Sequence, residues 1–272
     1  MIGRPFSERT MIHPLAQVSP DASLADNVRV DAFAVVGPNV KVGKGSWIAS
    51  HAVIAGPCTI GEHCHIYPFV SLGQPPQDLS YKGEPTELVI GNHNIIRESA
   101  TLHRGTVRGG GVTRVGDHNL IMAYCHIAHD CKIGNNVIFA NNASLAGHVH
   151  IEDGVTLGGF TLVHQFCRVG AYGYTSMGAA LNRDLTPFTL ATGNYARAIG
   201  INKVGLQRRG IDSQVIQGLE RTFRLLVHRR GHRPDEAELI ELRSRHAEID
   251  LFIRFIEESK RGIIRTGRAA AE

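Results

Sequence analysis

Three short strings in the middle of the chain carry much of its titratable chemistry: HIAHDC (126–131), LAGHV (145–149) and VHQFC (163–167). An imidazole with an ordinary pKa near ~6.5 is poised to take a proton at neutral pH, and an adjacent carboxylate orients it and stabilises the imidazolium. His129 followed by Asp130 has that composition. Gly147, lacking a side chain, allows a backbone N–H to approach a carbonyl oxygen that is gaining negative charge. These are parts for removing a proton from a hydroxyl while a carbonyl is attacked. The same imidazoles admit another chemistry, with His126, His129 and His148 as three zinc ligands. A lone histidine at a turn would call for neither, so spacing decides. His129, Gly147 and Gln165 follow one another at eighteen-residue intervals, as do Asp130, His148 and Phe166, with His126 and His164 close by.

The elements that position these residues repeat with a period that divides eighteen. Ile, Val or Leu recurs every six residues from Ile12 to Leu72, returns at Ile90, Ile96 and Leu102, and runs on after a one-residue shift from Val115 to Leu181, with Phe139 and Thr175 as the two substitutes. Four residues beyond each aliphatic the side chain is nearly always small, as at Ala16, Ala34, Ala52, Ala143 and Ala179. Glycine often follows the aliphatic directly, as at Gly43, Gly61, Gly134 and Gly158, where it is expected to supply turn dihedrals. The pattern resembles the hexapeptide repeat of left-handed parallel β-helices. There three hexads make a triangular coil and coils stack at about 4.8 Å. In that architecture the two columns above become one edge of titratable groups, more than structural corners need.

The remaining segments are read around this prism. Residues 1–11 form an N-terminal extension, 12–185 the mainly β prism with loops near 73–89 and 107–114, and 186–272 a C-terminal helical domain. In that domain a helix is predicted over Asp212–Arg230, a second opens at Pro234, Asp235 and Glu236, and Ile249, Phe252, Ile253 and Ile256 mark a third; Thr266–Glu272 reads as a loose tail. The C-terminal domain holds 16 Lys+Arg against 11 Asp+Glu, the rest of the chain 13 against 14. That basic excess would attract an acidic partner or a phosphorylated substrate, or is simply a solvated helical surface; too few aromatics are interleaved for nucleic-acid binding. No signal peptide and no apolar run of membrane-spanning length occurs, which points to a cytoplasmic protein without an integral membrane segment. Cys58, Cys64, Cys125, Cys131 and Cys167 all take the small inward position of a hexad, so they read as core filling rather than metal ligands or disulfides. Asn135, Asn136, Asn141 and Asn142 read as corner residues tolerant of left-handed backbone.

The three histidine strings, the loop QPPQDLSYKGEPT (74–86), the segment IRESATLHRGTVRGGG (96–111) and GLQRRG (205–210) resemble those of the UDP-N-acetylglucosamine acyltransferases that begin lipid A synthesis. The resemblance runs from about residue 12 into the helical region. It implies transfer of a 3-hydroxyacyl chain from acyl carrier protein to the 3-hydroxyl of UDP-N-acetylglucosamine by a cytoplasmic homotrimer with active sites between subunits. No cofactor and no metal are implied. His129, Asp130 and Gly147 would be base, orienter and oxyanion donor. Gln77 and Asp78, with His126 and His148, would contact the sugar, His164 and Gln165 would lie further along the cleft, and Asn202, Arg208 and Arg209 would reach the nucleotide. Loop 73–89 would complete a neighbour's site, and the basic helices would suit acyl carrier protein. Met177 resembles the position that limits the acyl groove, where its side chain would shorten the preferred chain to about ten carbons. Ser80 and Val204 stand where some relatives carry charge, which puts their part in nucleotide binding in doubt. With every cysteine in the core, direct attack by the sugar hydroxyl in a ternary complex is favoured over an acyl-enzyme.

Two readings from other classes compete. A γ-type carbonic anhydrase shares the prism and holds zinc on three histidines between subunits, but leaves Asp130, Gly147, the 74–86 loop and the Arg208–Arg209 pair without purpose. A purely structural hexapeptide scaffold leaves the histidine edge unexplained. Whether the acceptor atom is a sugar oxygen or an amine in a modified sugar nucleotide stays open.

Overall fold

Parallel strands cannot be joined by tight hairpins, so a chain of very short aliphatic strands must travel around an axis before it can pair with itself. In the computed structural model, which describes residues 10–228 and 235–267, it does so in three-sided coils. Among the described residues the first face carries eleven strands, Met11–Ile12 through Arg197–Ile201. The second carries nine, Gln17–Val18 through Ala180–Leu181, and the third eight, Ser23–Leu24 through Arg168–Val169. Ile127 pairs with Leu145 and Leu145 with Val163, so the period is eighteen residues. Bonds such as Lys132 N–H to Val149 O (2.9 Å) join each coil to the next.

The interior is the hexad pattern made solid. Ile121, Ile127, Phe139, Leu145, Ile151 and Leu157 are essentially inaccessible, and the small partners Cys125, Cys131, Ala143 and Cys167 fill the corners as unpaired thiols or methyls. Burial pushes the Cys131 thiol up to about 12 and that of Cys125 to about 11, which leaves neither as a nucleophile at neutral pH.

The role expected of the glycines differs. Gly43, Gly61, Gly134 and Gly158 do not adopt positive φ. They are needed because coils touch there: a Cβ on Gly43 would lie 2.5 Å from the Gly61 carbonyl carbon, and one on Gly134 2.3 Å from Asp153 Oδ1. The left-handed corner comes two residues later and is occupied mainly by larger side chains, among them Asp130 (φ 61°), His148 (φ 62°) and Phe166 (φ 63°). Of the four corner asparagines, Asn136 and Asn142 are left-handed as well, whereas Asn135 and Asn141 are not. Such a conformation costs a non-glycine residue about 1 kcal/mol, which stacking along the column offsets. Phe33, His51 and Phe69 stack in this way on another edge, with centroids 5.2 and 5.1 Å apart.

Two insertions interrupt the coil. Ile60 pairs with Ile90, and Ile90 with Val115, so extra residues are extruded between Gln74 and Glu87 and between His103 and Val112, the latter including a short 3-10 turn Val107–Gly109. Beyond Leu181 the first face continues through Thr189–Thr192, which pairs antiparallel with Arg197–Ile201, a hairpin the hexad pattern does not announce.

Four helices follow: α1 (Lys203–Arg208), α2 (Ser213–Leu226), α3 (Glu236–Arg245) and α4 (Ala247–Glu258). The short α1 has no clear apolar periodicity. Of Asp212 and Ser213, the two residues that the helical spacing offers as N-cap of α2, Asp212 takes the role, accepting a 2.6 Å bond from the Gln214 amide. That helix ends at Leu226 instead of reaching Arg230. Leu219 and Phe223 of α2 are buried, as are Ile249, Phe252 and Ile253 of α4. Asp184 ties this unit to the last coil by accepting from the Arg168 amide (2.8 Å) and the Ser259 hydroxyl (2.7 Å). Most of the expected N-terminal extension, Pro234, and the tail after Gly267 lie outside the described residues. Among the described residues no helix is long and apolar enough to cross a membrane.

Because coils share one narrow core, a cavity in it should be felt fully. Ile127→Ala, directly beside His126, is expected to lower the free energy of unfolding by ~2–5 kcal/mol, measured as a reduced midpoint in urea.

Candidate active site

The edge where the second face turns into the third, residues 128–131, 146–149 and 164–167, collects the predicted chemistry. His129 Nδ1 lies 2.8 Å from Asp130 Oδ2, and the Asp130 side chain is wholly inaccessible. One coil on, Gly147 faces the imidazole so closely that a Cβ there would sit 2.6 Å from His129 Cε1. His148 stands perpendicular to His129 with centroids 5.2 Å apart and rests flat on Phe166 at 4.5 Å. Its Nε2 is 3.7 Å from Asp130 Oδ2. His126, on the adjoining strand, bonds through Nδ1 to Thr101 Oγ1 at 2.7 Å. His164 and Gln165 continue the edge, exposed, with His164 Nδ1 3.1 Å from the Gln165 carbonyl.

Burial favours the neutral imidazole at His103, His126 and His148. His103 lies edge-on to His126 at 5.2 Å, and burial first, then the charges of His126 and His129, push its pKa down to about 4. Burial lowers His126 as well, with His129 adding to it. His148 is lowered by burial in spite of the opposing pull of Asp130. Asp78, in the 75–86 insertion, is held below the usual carboxylate range by the amide and hydroxyl of Ser80, and further by His129 and Arg108. The loop therefore brings Asp78 within electrostatic reach of the imidazole of its own chain, and Ser80 serves as the donor that folds the Asp78 turn. Gln77 is exposed beside it.

The other predicted residues lie on different edges. Met177, 78% exposed, occupies the turn from first to second face, across the second face from His129. Asn202 caps α1 through a 3.1 Å bond to the Gly205 amide and donates to Tyr172 O. Arg209 donates to Gly154 O (3.2 Å) and lies over the Tyr172 ring, so it belongs to the third edge; Arg208 and Val204 are exposed. One chain does not bring these groups to His129. As for metal binding, His129, Asp130 and His148 each offer a ligand atom within 4.8 Å of the others, a group that omits His126. Both Asp130 oxygens already accept hydrogen bonds from Thr106. Thr101, His103, Thr106 and Thr113 were not singled out in the sequence. Thr101, His103 and Thr106 do lie within the segment IRESATLHRGTVRGGG (96–111) that carries part of the family resemblance, whereas Thr113 falls outside it.

Known proteins match this arrangement along nearly the whole chain. Residues 39–74 and 113–147 match the bacterial transferase hexapeptide model, and residues 184–264 the second domain of UDP N-acetylglucosamine O-acyltransferase. An acyl-[acyl-carrier-protein]–UDP-N-acetylglucosamine O-acyltransferase of Pseudomonas putida is 50% identical over 256 residues, covering 93% of this chain and 99% of that one. Its counterpart in Halorhodospira halophila is 51% identical over 258 residues, 94% and 100%. Among solved structures, UDP-N-acetylglucosamine O-acyltransferase of Moraxella catarrhalis superposes with TM-score 0.90 at 42% identity, covering 93% and 99%. The Francisella novicida acyltransferase does so with TM-score 0.90 at 37%, covering 95% of each chain. Fold and edge thus define a left-handed hexapeptide-repeat transferase with a helical second domain. Within that class, the chain belongs to the UDP-N-acetylglucosamine O-acyltransferase family.

The depressed His103 has a consequence for acid stability. Its native pKa of about 4 lies below the unfolded value of ~6.5, so between those limits the unfolded chain binds a proton that the folded chain refuses. Stability from this group is complete above that window and falls as pH drops through it. His103→Phe is expected to narrow the difference in urea midpoint between pH 7 and pH 4.5, with the other lowered imidazoles, His65, His126, His148 and His150, contributing to the slope that remains.

Proposed function

We propose that this protein transfers a 3-hydroxyacyl group from acyl carrier protein to the 3-hydroxyl of UDP-N-acetylglucosamine, the first step of lipid A biosynthesis. The donor and acceptor follow from the names of the relatives. The observation that carries the chemistry is the His129–Asp130 pair at 2.8 Å with Gly147 packed against the imidazole. His129 Nε2 takes the proton from the sugar hydroxyl as its oxygen attacks the thioester carbonyl. Asp130 holds Nδ1–H and stabilises the imidazolium, and the Gly147 amide receives the oxyanion. When the intermediate collapses, the C–S bond breaks and the imidazolium returns its proton to the departing carrier thiolate. No acyl-enzyme is needed, in keeping with five cysteines that are all buried.

Gln77, Asp78, His126 and His148 contact the sugar, His164 and Gln165 line the cleft beyond it, and Asn202, Arg208 and Arg209 bind the nucleotide. Because the last three lie on another edge of the prism, the reading requires neighbouring chains, and a homotrimer supplies them. Exposed Phe69, Tyr124, Phe160, Leu162 and Met177 give such an assembly apolar surface to bury. The enzyme works in the cytoplasm, where unpaired thiols persist.

His129→Ala is expected to reduce turnover by about 10²–10⁴-fold while sugar-nucleotide binding stays measurable, and a chelator to leave wild-type turnover unchanged. A fully active mutant would remove the base assignment, and loss of activity on chelation would revive the zinc reading. With a mixed pool of acyl carriers, Met177→Gly should shift the mass-spectrometric product distribution to longer chains; an unchanged preference disposes of the ruler.

A further inference from the structure

We infer that Thr106 is a positioning residue for the transfer reaction: its amide and hydroxyl clamp both oxygens of Asp130 and so decide which of two flanking imidazoles the carboxylate serves. The inference rests on His129 being the base.

Asp130 Oδ1 accepts from Thr106 N–H at 2.8 Å and Oδ2 from Thr106 Oγ1 at 2.7 Å. A threonine hydroxyl has one proton. Thr106 Oγ1 also accepts the Gly109 N–H at 3.2 Å, which leaves that proton for Asp130. Thr106 is 4% exposed, so water does not compete well for either bond. The main chain of Asp130 is held from the strand Val112–Val115 that follows the insertion, its N–H donating to Thr113 Oγ1 at 2.8 Å. The loop leaves the carboxylate no room. A Cβ on Gly109 would lie 2.0 Å from Asp130 Cγ, and one on Gly105 2.8 Å from Oδ1.

The clamp matters because Oδ2 has two imidazole neighbours, His129 Nδ1 at 2.8 Å and His148 Nε2 at 3.7 Å. A small rotation of the carboxylate would exchange them. With both oxygens tied to one residue the plane is fixed, Oδ2 stays on His129, and the tautomer with the proton on Nδ1 leaves Nε2 free to act as base.

Four variants, His129→Ala, Thr106→Val, Thr106→Ser and Gly109→Ala, are assayed with UDP-N-acetylglucosamine and a 3-hydroxyacyl carrier. Thermal midpoints and ¹⁵N-histidine NMR of the His129 tautomer accompany the rates. Thr106→Val should lower kcat by about 10-fold or more with KM for the sugar nucleotide within about 2-fold, and should mix the His129 tautomers. Thr106→Ser, which keeps the hydroxyl, should retain most of kcat. Gly109→Ala should lose kcat with the hydroxyl still present. If Thr106→Val matches wild type while His129→Ala is inactive, the clamp is wrong and the base stands; an active His129→Ala instead removes the reading beneath it. Should Thr106→Val fail to fold, the other two decide: a Ser variant without activity, or a Gly109→Ala variant like wild type, overturns the inference.

Discussion

The short strands of each coil find their backbone hydrogen-bond partners in the coils above and below. That register, eighteen residues on where the coil is uninterrupted, is the constraint on which the rest depends. A shift of one residue would turn each aliphatic outward and each polar residue into a core one side chain wide. The alternation is therefore sharp, with inaccessible Ile127 next to half-buried His126.

The same register turns sequence periodicity into columns. Residues far apart in the chain become neighbours about one strand spacing apart, and an edge built this way is rigid because corners, stacks and coil-to-coil bonds all fix it. His148 lies flat on Phe166 for this reason, and His129 can rest against Gly147 only because the position above it has no Cβ. Left-handed corners add to the effect. Held at φ near 60°, Asp130 and His148 occupy equivalent turns of successive coils, which brings a carboxylate and a second imidazole to the first.

What breaks the repeat is what specialises it. The insertion between His103 and Val112 folds over the edge and buries the Asp130 carboxylate under Thr106 and Gly109. The insertion after Gln74 brings Asp78 to the same neighbourhood. The hairpin after Leu181 and helices α2 and α4 close the last coil, and Asp184 fastens them. Burial holds His103 neutral far below the ordinary imidazole range and lowers His126 and His148 beside it.

The primary sequence determined the architecture, because a six-residue aliphatic period with small residues between admits one way of burying its side chains. It also placed His129 with Gly147 and Asp130 with His148, since vertical neighbours follow from counting. A cap at Asp212 or Ser213 was legible at the start of α2 for a similar local reason, since a capping side chain bonds within a few residues of itself, and the structure selects Asp212. Tertiary structure alone decided the rest. The need for Gly43 and Gly134 arises from contact with the next coil and not from their own dihedrals. Thr106 reaches Asp130 across an insertion that has no period, the hairpin Thr189–Ile201 reverses a chain whose pattern had ended, and Arg209 finds Tyr172 on an edge away from His129. Counting residues locates what repeats; a loop's landing place is set by the packing it meets in three dimensions.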